Sequence, residues 1–317
     1  MNSTHKAEVV PVVLMPHNNA DSLSVVRVHD YQVVVRTELW KERTKGVYCP
    51  PDSIIPAGLV DGIEGRVKAI KLRGIWSEGL LIPCETKYEI GQDVTEELGI
   101  GHWDPPADFI IGDNVSPPIG HIPSYDLEAA RRWSDKVFKP FERVIATEKI
   151  HGANGRFTYR DGQIFAGSKA NWKAGSDEHS RQSMWWAALA QHPEISAWCE
   201  QHPNQVLYGE VYGKVQSLRY GLSGVRIILF DIWDGTRYLT HDESRNIGPE
   251  LPWVPVLYDG PWTSLVELSH LADGKSTMPN CNHIREGCVF KAADERYDMI
   301  AGRSALKLIG REYLSLK

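Results

Sequence analysis

A lysine at the end of an apolar strand, followed closely by glycine, is the first feature of this sequence that could do chemistry. The apolar run Val144-Ile145-Ala146 leads to Lys149, and Gly152 comes three residues later. A lysine that is partly removed from water loses its proton more easily, and the free amine can attack a phosphorus or carbonyl centre. Gly152 would let the backbone approach the group that is attacked. Surface lysines before a turn show the same short pattern, so its meaning depends on the rest of the chain.

Acids, an aromatic ring and two more lysines follow in the chain. Glu210 and Glu286 each lie next to a glycine, Phe230 follows an apolar strand, and Lys291 and Lys307 belong to short apolar strands. Each has an ordinary alternative, because turn carboxylates, core aromatics and lysines that extend to the surface are common. Their order, with predicted strands between them that can bring them together, is much harder to explain by coincidence. The sequence therefore predicts one site built around a nucleophilic lysine.

The composition excludes several classes of protein. The chain has 317 residues, of which 42% are hydrophobic and 24% are charged, so it can build cores and is not disordered. A net charge of -6 argues against a protein that coats nucleic acid non-specifically, although a local basic groove is compatible with it. Five scattered cysteines without a C-x-x-C pair support neither a zinc site nor a disulfide framework. Without a signal peptide or a membrane-length apolar stretch, we expect a cytoplasmic protein with no membrane partner.

The sequence pattern predicts an α+β chain with two domains, whose strands and helices must position these residues. From Leu23 onward, short β-rich runs are punctuated by glycine and proline and lack helical periodicity. This pattern predicts a small β-barrel or sandwich. Between residues 99 and 123 the chain becomes loop-like and rich in glycine and proline, which places a boundary there. The predicted domains are 1–120, including the linker, and 121–317.

The second predicted domain combines antiparallel-rich sheets with flanking helices. Asp161-Gly162, between two β-rich runs, is a strong signal for a hairpin turn. The predicted strands are 141–148, 155–160, 163–167, 205–212, 226–233, 287–291 and 304–309. The predicted helices are 126–136, with Ser124 or Asp126 as the cap, 180–190, 193–200 and 264–271.

A cluster of cations lies in the N-terminal half, at Arg66, Lys68, Lys71 and Arg73. The first two share one face of a strand and the last two fall in the opposite phase, which fits a bulge or a strong bend. Four cations within eight residues of an acidic chain could line a groove that follows a nucleic-acid backbone. A solvated edge strand protected by charge would have the same pattern, and the sequence favours neither alternative.

With these stretches, the sequence resembles the covalent nucleotidyltransferases and, among them, the ATP-dependent RNA ligases. Glu148-Lys149-Ile150-His151-Gly152 resembles the lysine motif in the form of RNA ligase 2-like enzymes, with histidine where many relatives carry aspartate. Gly167-Ser168-Lys169 resembles the next motif, in which arginine is usual in place of the lysine. The last motif often has two lysines, of which only Lys307 is present here. The other pocket motifs are matched by Tyr208-Gly209-Glu210, Phe230-Asp231-Ile232 and Glu286-Gly287-Cys288-Val289-Phe290-Lys291.

The N-terminal half resembles the OB module of the Deinococcus-type RNA ligases, a branch that carries this module in front of the catalytic domain. The similar stretches are 71–74, 77–83 and 93–99, so the resemblance extends from about Leu23 to Leu316. It implies an N-terminal OB-like β-barrel followed by a nucleotidyltransferase (adenylyltransferase) domain. DNA ligases and capping guanylyltransferases place an OB module after the last motif, whereas few residues follow Lys307 here. This order favours an RNA ligase.

The resemblance implies a role for each residue of the predicted site. Lys149 would attack the α-phosphorus of ATP, Phe230 would stack on adenine, and Glu148 would lie at the base edge. Glu210 would reach the ribose, and Glu286 would act in catalysis together with Mg²⁺ or Mn²⁺. The remaining pocket residues would be Ile150, Gly152, Lys169, Lys291 and Lys307, of which Lys307 is also assigned to catalysis. The expected RNA-binding residues are Arg66, Lys68, Lys71, Arg73 and His151.

The activity implied by the resemblance is the joining of a 3′-hydroxyl to a 5′-phosphate, through a lysyl-AMP and an AMP-capped 5′-phosphate. The expected partners are RNA ends in a nicked duplex, with mixed RNA–DNA strands as an open variant, and a monomer is expected. Two alternatives stay open. One is a catalytically inactive ligase-like protein that binds nucleic acid, and the other is a capping-type guanylyltransferase.

Overall fold

The computed structural model describes residues 5–104, 112–175, 183–299 and 301–316. Over these ranges the chain is α+β, with many short antiparallel strands and few helices, as the sequence predicts. No helix in the described ranges has the length and apolarity that a membrane crossing requires.

The strands and helices have the following bounds. The strands up to residue 104 are β1 (Glu8–Pro11), β2 (Met15–Pro16), β3 (Leu23–Val28), β4 (Tyr31–Arg36), β5 (Lys45–Cys49), β6 (Ser53–Val60), β7 (Ile63–Arg66), β8 (Ala69–Leu72), β9 (Ile75–Glu78), β10 (Leu80–Pro83) and β11 (Gly101–His102). The later strands are β12 (Asn114–Val115), β13 (Glu128–Ala129), β14 (Arg143–Lys149), β15 (Gly152–Arg160), β16 (Gln163–Gly167), β17 (Trp172–Lys173), β18 (Val206–Gly213), β19 (Val225–Trp233), β20 (Val256–Pro261), β21 (Gly287–Ala292), β22 (Tyr297–Asp298), β23 (Gly302–Arg303) and β24 (Ala305–Ile309). The helices are α1 (Thr37–Trp40), α2 (Ala130–Val137), α3 (Met184–Leu189), α4 (Pro193–Gln201), α5 (His241–Ile247), α6 (Leu265–Leu268) and α7 (Arg311–Leu314), with a 3₁₀ helix at Ser269–Ala272.

The described residues form two compact units. The first comprises the described parts of Met1–Asp104, Glu128–Ser134 and Ile309–Lys317, and the second those of Pro105–Leu127 and Asp135–Leu308. The first unit is therefore assembled from three separate stretches of chain. A single division at residue 120 does not describe the two short stretches.

The first unit contains small antiparallel sheets. Their strand orders are β1-β5-β10, β2-β3-β4, β11-β6-β7 and β8-β9. Two apolar clusters lie inside the unit, one around Val9, Val47 and Ile55 and the other around Val26 and Trp40. The prediction of many short strands is confirmed, but the pairings within the described residues do not close a barrel, so a specific OB-like barrel is not shown.

A buried carboxylate joins the three stretches of the first unit. Glu78 is fully buried at the end of β9. Its Oε1 lies 2.9 Å from Nη2 of Arg131, and its Oε2 lies 3.0 Å from Nη2 of Arg311. Each arginine comes from a different stretch, so one acid neutralises two cations that the chain brings from far apart.

The second unit is built on two antiparallel sheets. The first has the order β12-β17-β16-β15-β18-β19, and the second contains the run β24-β21-β14-β20. α3 and α4 pack on the first sheet and enclose a core that includes Phe157, Trp185, Trp198 and Leu207. The predicted hairpin is confirmed, because Asp161 and Gly162 both have positive φ angles, 50° and 77°, between the paired strands β15 and β16.

The four predicted helices are present at altered bounds. α4 and the pair formed by α6 and the 3₁₀ helix match 193–200 and 264–271. The helix expected at 126–136 begins only at Ala130, because residues 128 and 129 are extended as β13, so the predicted caps are wrong. α3 begins at Met184, where the Ser183 side chain accepts a hydrogen bond from the backbone N–H of Trp186, and residues 180–182 of that prediction lie outside the described residues.

Replacing Glu78 with glutamine should destabilise the protein. The variant leaves one buried and one partly buried guanidinium group without their shared negative charge, and losing one partner of a buried ion pair costs roughly 3 kcal/mol. The midpoint of urea unfolding should therefore fall. The matched control is Glu38→Gln, because Glu38 is exposed and pairs with Lys41 on the surface, where such pairs contribute little. Equal midpoints for the two variants would contradict the role given to Glu78.

Candidate active site

The pairing of β14 with β21 brings the predicted nucleophile to its acid. Lys149, the last residue of β14, lies opposite Gly287, the first residue of β21. Glu286 therefore lies beside the lysine, and the Lys149 Nζ donates a hydrogen bond to Glu286 Oε1 at 2.7 Å. Two residues 137 positions apart in the chain thus form one ion pair through strand register alone.

Gly152 is required by a neighbouring strand. β15 pairs with β18 so that Asn154 lies opposite Glu210. A Cβ atom at position 152 would collide with the backbone carbonyl of Val211 and would lie 3.0 Å from Cγ of Glu210. The glycine therefore lets β15 approach β18, which holds Glu210 on the same side as Lys149.

These residues line a cavity of about 200 Å³ in the second unit. Most of the predicted pocket residues are among its walls, together with several that the sequence analysis did not select. The lining residues are Tyr125, Asp126, Leu127, Thr147, Glu148, Lys149, Ile150, Asn154, Lys169, Glu210, Phe230, Val254, Val289, Lys291 and Lys307. The structure thus brings together residues from widely separated motifs, and their roles in binding and catalysis stay predictions.

Two carboxylates set the charge state around Lys149. Burial alone would lower the pKa of Lys149, but Glu286 and Glu210 raise it above its ordinary value. Burial opposes ionisation of Glu286 as well, yet Lys149 and His151 bring the pKa of Glu286 down to about 2. Burial raises the pKa of Glu210 to about 8, with Lys149 opposing and Glu286 adding to the shift. The pair of Lys149 and Glu286 is therefore ionised, whereas Glu210 is largely protonated at neutral pH.

His151 lies inside the protein. Its side chain is nearly buried, its Nδ1 lies 3.6 Å from Glu286 Oε2, and its Nε2 is 3.3 Å from Oγ of Ser217. The backbone N–H of His151 donates to the hydroxyl of Tyr220 at 2.7 Å. The ring thus supports the acid that pairs with Lys149. A direct contact of His151 with RNA stays a prediction.

Glu148 is fixed by hydrogen bonds. The buried carboxylate accepts one from the hydroxyl of Ser276 at 2.5 Å, and from the backbone N–H and the hydroxyl of Thr277, both at 2.7 Å. Both oxygens are thereby used to hold the segment that contains these residues. Glu148 does line the cavity, and its placement at the base edge stays a prediction.

An aromatic and ionic cluster forms the wall around Phe230. The ring centroid of Phe230 lies 4.6 Å from that of Tyr125. Lys291 Nζ donates to the backbone carbonyl of Phe230 at 2.7 Å and pairs with Asp231 at 2.8 Å. Arg303 Nη1 lies 3.0 Å from Asp231 as well. Tyr125 and Arg303 belong to none of the predicted motifs, and no local pattern in the chain indicates a place for them in the site.

Charge balance in this wall accounts for the pKa shifts of its members. Burial alone would raise the pKa of Asp231, but Arg303 and Lys291 lower it to about 2. Burial lowers the pKa of Lys291, with Asp231 opposing. The amine of Lys291 is engaged with Asp231 in this state, and its predicted contact with phosphate stays a prediction.

The two remaining lysines of the pocket motifs also line the cavity. Lys169 pairs with Asp126 at 2.8 Å, and both side chains are partly exposed. Lys307 is half-buried in β24. Ile150 is buried and contributes an apolar wall.

The predicted RNA-binding cations of the first unit differ in their availability. Arg66 is engaged, because its Nε donates to Asp52 at 2.8 Å and its guanidinium carbon lies 3.4 Å from the ring centroid of Trp103. Lys71 and Arg73 are exposed on the hairpin of β8 and β9, and Lys68 is half-exposed in front of it. The predicted inversion of strand phase, between the pair Arg66 and Lys68 and the pair Lys71 and Arg73, coincides with the break between β7 and β8.

The donor set beside Lys149 fits a hard divalent cation. In the described residues, no three histidine, cysteine, aspartate or glutamate side chains form a ready-made metal cluster. The buried Oε2 of Glu286 has no hydrogen-bond partner in the described residues, and Glu210 lies near it. Oxygen ligands of this kind suit Mg²⁺ or Mn²⁺, which keep several waters when few protein ligands are present.

The fold and the pocket of the second unit define a nucleotidyltransferase-type catalytic unit with a lysine at its centre. The RNA ligase family model matches residues 142–309, which contain the whole series from Lys149 to Lys307. The chain belongs to the RNA ligase family. A comparison with curated protein sequences finds no match.

Solved structures of Naegleria gruberi RNA ligase resemble nearly the whole chain. A substituted form with ATP and Mn is 26% identical, has a TM-score of 0.77, and covers 97% of this chain and 98% of that chain. The structure with PPi is 25% identical, with a TM-score of 0.77 and 98% coverage of both chains. Another substituted form, with AMP and Mn, has the same identity, TM-score and coverages.

Replacing Glu210 with glutamine should stabilise the metal-free protein at alkaline pH. The pKa of Glu210 in the fold, about 8, lies above the unfolded value of roughly 4.3. The folded state therefore holds a proton that the unfolded state loses, so the contribution of Glu210 to stability is complete below pH 4.3 and declines as pH rises to 8. The melting temperature of the variant should exceed that of the wild type by a few degrees at pH 8, since about 1 kcal/mol shifts a domain of this size by roughly 2–4 °C.

This gain should nearly vanish at pH 4, where Glu210 is protonated in the fold and largely protonated in the unfolded chain as well. Differential scanning calorimetry at the two pH values measures it. Glu250→Gln, the same change at an exposed position, is the control and should show no pH-dependent gain. A gain of equal size at both pH values would contradict the assigned protonation of Glu210.

Proposed function

We propose that this chain is an ATP-dependent RNA ligase that joins a 3′-hydroxyl to a 5′-phosphate through a covalent lysyl-AMP. The observation that carries the proposal is the ion pair between Glu286 and Lys149, a residue that lines one cavity together with Glu210, Phe230 and Lys307. The family match and the resemblance to a ligase solved with ATP, with AMP and with PPi support it. In this proposal Phe230 stacks on adenine, and Glu210 reaches the ribose.

Three group transfers make up the proposed reaction. The Nζ of Lys149 attacks the α-phosphorus of ATP, a P–N bond forms, and the bond to the bridging oxygen breaks to release pyrophosphate. An oxygen of the RNA 5′-phosphate then attacks the same phosphorus and displaces the lysine. Finally the 3′-hydroxyl attacks the 5′-phosphorus, and AMP leaves. Positioning and neutralisation of charge account for most catalysis of this kind.

The ion pair sets the starting condition for the first transfer. Lys149 is held 2.7 Å from Glu286 and is protonated there. The amine must lose its proton before it attacks, and any neutralisation of the Glu286 charge lowers the pKa of Lys149 toward that state. A divalent cation held by Glu286 and Glu210 would supply this neutralisation and offset the phosphate charge. Lys291 and Lys307 would hold phosphate oxygens.

The finer features of the proposal concern the RNA and the first unit. We infer that the substrate is a nick in a duplex, with mixed RNA–DNA strands as a variant, and that the first unit is the OB-type module of a Deinococcus-type ligase. Its exposed cations Lys71 and Arg73 support a contact with the nucleic-acid backbone. A cytoplasmic monomer is the form in which we expect the protein to act.

Replacing Lys149 with alanine should abolish formation of a labelled protein adduct from ATP labelled at the α-phosphate. The measurement is retention of label by the denatured protein after incubation with Mg²⁺ or Mn²⁺. Lys149→Arg is the matched variant, since it keeps the positive charge beside Glu286 but lacks a nucleophilic amine at neutral pH. It should also form no adduct, whereas Lys139→Ala, at an exposed lysine, should form it fully. An adduct on Lys149→Ala would overturn the assignment.

The same assay discriminates among the alternatives. A capping-type guanylyltransferase would form the adduct with GTP and not with ATP. A catalytically inactive nucleic-acid-binding protein would bind nicked duplex RNA without forming an adduct or sealing it. Sealing of single-stranded, nicked all-RNA and mixed RNA–DNA substrates, compared side by side, then identifies the preferred substrate.

Replacing both Lys71 and Arg73 with alanine should weaken the binding of nicked duplex RNA and reduce its dependence on salt. Each lost phosphate contact should reduce the slope of log K against log salt by about 0.7–0.9. Fluorescence anisotropy at several salt concentrations measures the slope. Lys87→Ala is the control in the same unit, because Lys87 is exposed but already pairs with Glu97. An unchanged slope in the double variant would exclude these cations from the RNA interface.

A further inference from the structure

A second cavity, of about 250 Å³, lies in the catalytic unit and shares no lining residue with the first. Its walls include Arg156 and Trp172 from the sheet, Asn171 from the preceding loop, and Gly120 from the segment across the sheet. None of these residues has a part in the nucleotide pocket described above. The cavity is therefore a separate feature of the same unit.

Arg156 brings a buried positive charge to this cavity. The residue is only 5% exposed, and burial lowers the pKa of its guanidinium. Its Nε donates to the backbone carbonyl of Ser168 at 2.8 Å, and its guanidinium carbon lies 4.5 Å from the ring centroid of Trp172. In the described part of the chain, no carboxylate pairs with Arg156, and neither Nη group has a hydrogen-bond partner. Burying a cation without an anionic partner destabilises the folded protein, and a bound anion would offset this penalty.

The neighbouring arginine on the same face of β15 shows the contrast. Arg160 is 7% exposed, similar to Arg156. Its two Nη groups donate to the backbone carbonyls of Ile119 at 2.6 Å and Asn204 at 3.0 Å. Arg160 therefore fixes two chain segments to the sheet and acts as a structural residue. Arg156, four residues earlier, leaves the equivalent groups available at a cavity.

The loop that borders both cavities is held by hydrogen bonds between its ends. The backbone N–H of Ser168 donates to the carbonyl of Asn171 at 2.8 Å, and the N–H of Asn171 donates back to the Ser168 hydroxyl at 3.0 Å. Lys169 lines the first cavity, whereas Asn171 lines the second. Consecutive Cα atoms are about 3.8 Å apart, so the Cα atoms of Lys169 and Asn171 are at most roughly 7.6 Å apart, and one short loop borders both cavities.

We propose that the second cavity binds a backbone phosphate of the RNA strand close to the end that is joined, with the two Nη groups of Arg156 as the donors. This rests on the proposed ligase function, because the RNA 5′-phosphate then reacts in the first cavity, which Lys169 also lines. A planar guanidinium can donate two parallel hydrogen bonds to a phosphate, which matches the two available groups. Asn171 borders the same phosphate and adds a neutral donor.

The test uses the full chain and nicked RNA duplexes in which one phosphodiester at a time is replaced by an uncharged methylphosphonate. Binding is measured by fluorescence anisotropy, so it does not depend on ligation. With the wild type, one position near the nick should weaken binding roughly tenfold, as expected for a hydrogen bond to a charged group. Arg156→Met should lose a similar factor on the unmodified duplex and become insensitive to substitution at that one position. Arg156→Lys should recover part of the binding.

Controls separate this role from a structural one. Arg160→Met should lower the melting temperature more than Arg156→Met does, because it frees two backbone carbonyls from their partners. Adduct formation with labelled ATP is measured in parallel on each protein. Failure of the wild type in that assay would refute the ligase function, while the anisotropy scan still decides whether Arg156 binds phosphate.

Three outcomes would overturn the proposal. In the first, Arg156→Met and the methylphosphonates weaken binding independently at every position. In the second, Arg156→Met alters only the ATP concentration needed for adduct formation, which would assign the cavity to the nucleotide. In the third, Arg156→Met melts at a lower temperature than Arg160→Met, which would make Arg156 a structural residue.

Discussion

The ion pair between Lys149 and Glu286 imposes the main constraint on the catalytic unit. It holds the amine of Lys149 in one place, and Glu286 raises the pKa of that amine, which favours its protonated form. Two further buried groups act on this pair, because His151 lowers the pKa of Glu286 and Glu210 raises the pKa of Lys149. The register of β14 and β21 keeps both partners of this ion pair on one face of the sheet, since a shift of one residue would turn one of them away.

The sequence indicated the part of the site that comes from strand ends. Lys149, Glu210, Phe230 and Lys307 lie at or within short apolar strands, so their positions follow from local pattern once the strands are predicted. Arg303 could not be found in this way, because its importance comes from contacts with a distant aspartate and not from its neighbours in the chain. The hydrogen bonds of Ser276 and Thr277 to Glu148 could not be predicted either, because they depend on where the fold places a loop that is distant in the chain.

The fold was predictable to a similar degree. Alternating apolar residues and the Asp161-Gly162 turn identified the β15–β16 hairpin, because a two-residue turn fixes its own register. α5 was missed, although Thr240 and Glu243 form a capping box that the sequence displays. The closure of the first unit was beyond prediction, since barrels and separate small sheets use the same short strands and differ only in long-range pairing.

The cluster around Glu78 makes the order of synthesis matter for the first unit. A chain emerging from the ribosome from its N-terminus presents Glu78 long before Arg131, and Arg311 appears only after the last strand of the second unit. Until then, the Glu78 carboxylate must either stay hydrated or be buried without both of its arginine partners. Burial without those partners carries a large free-energy penalty. The first unit is therefore synthesised first but finishes folding last. The second unit can complete its own sheets while the first unit still lacks Arg311.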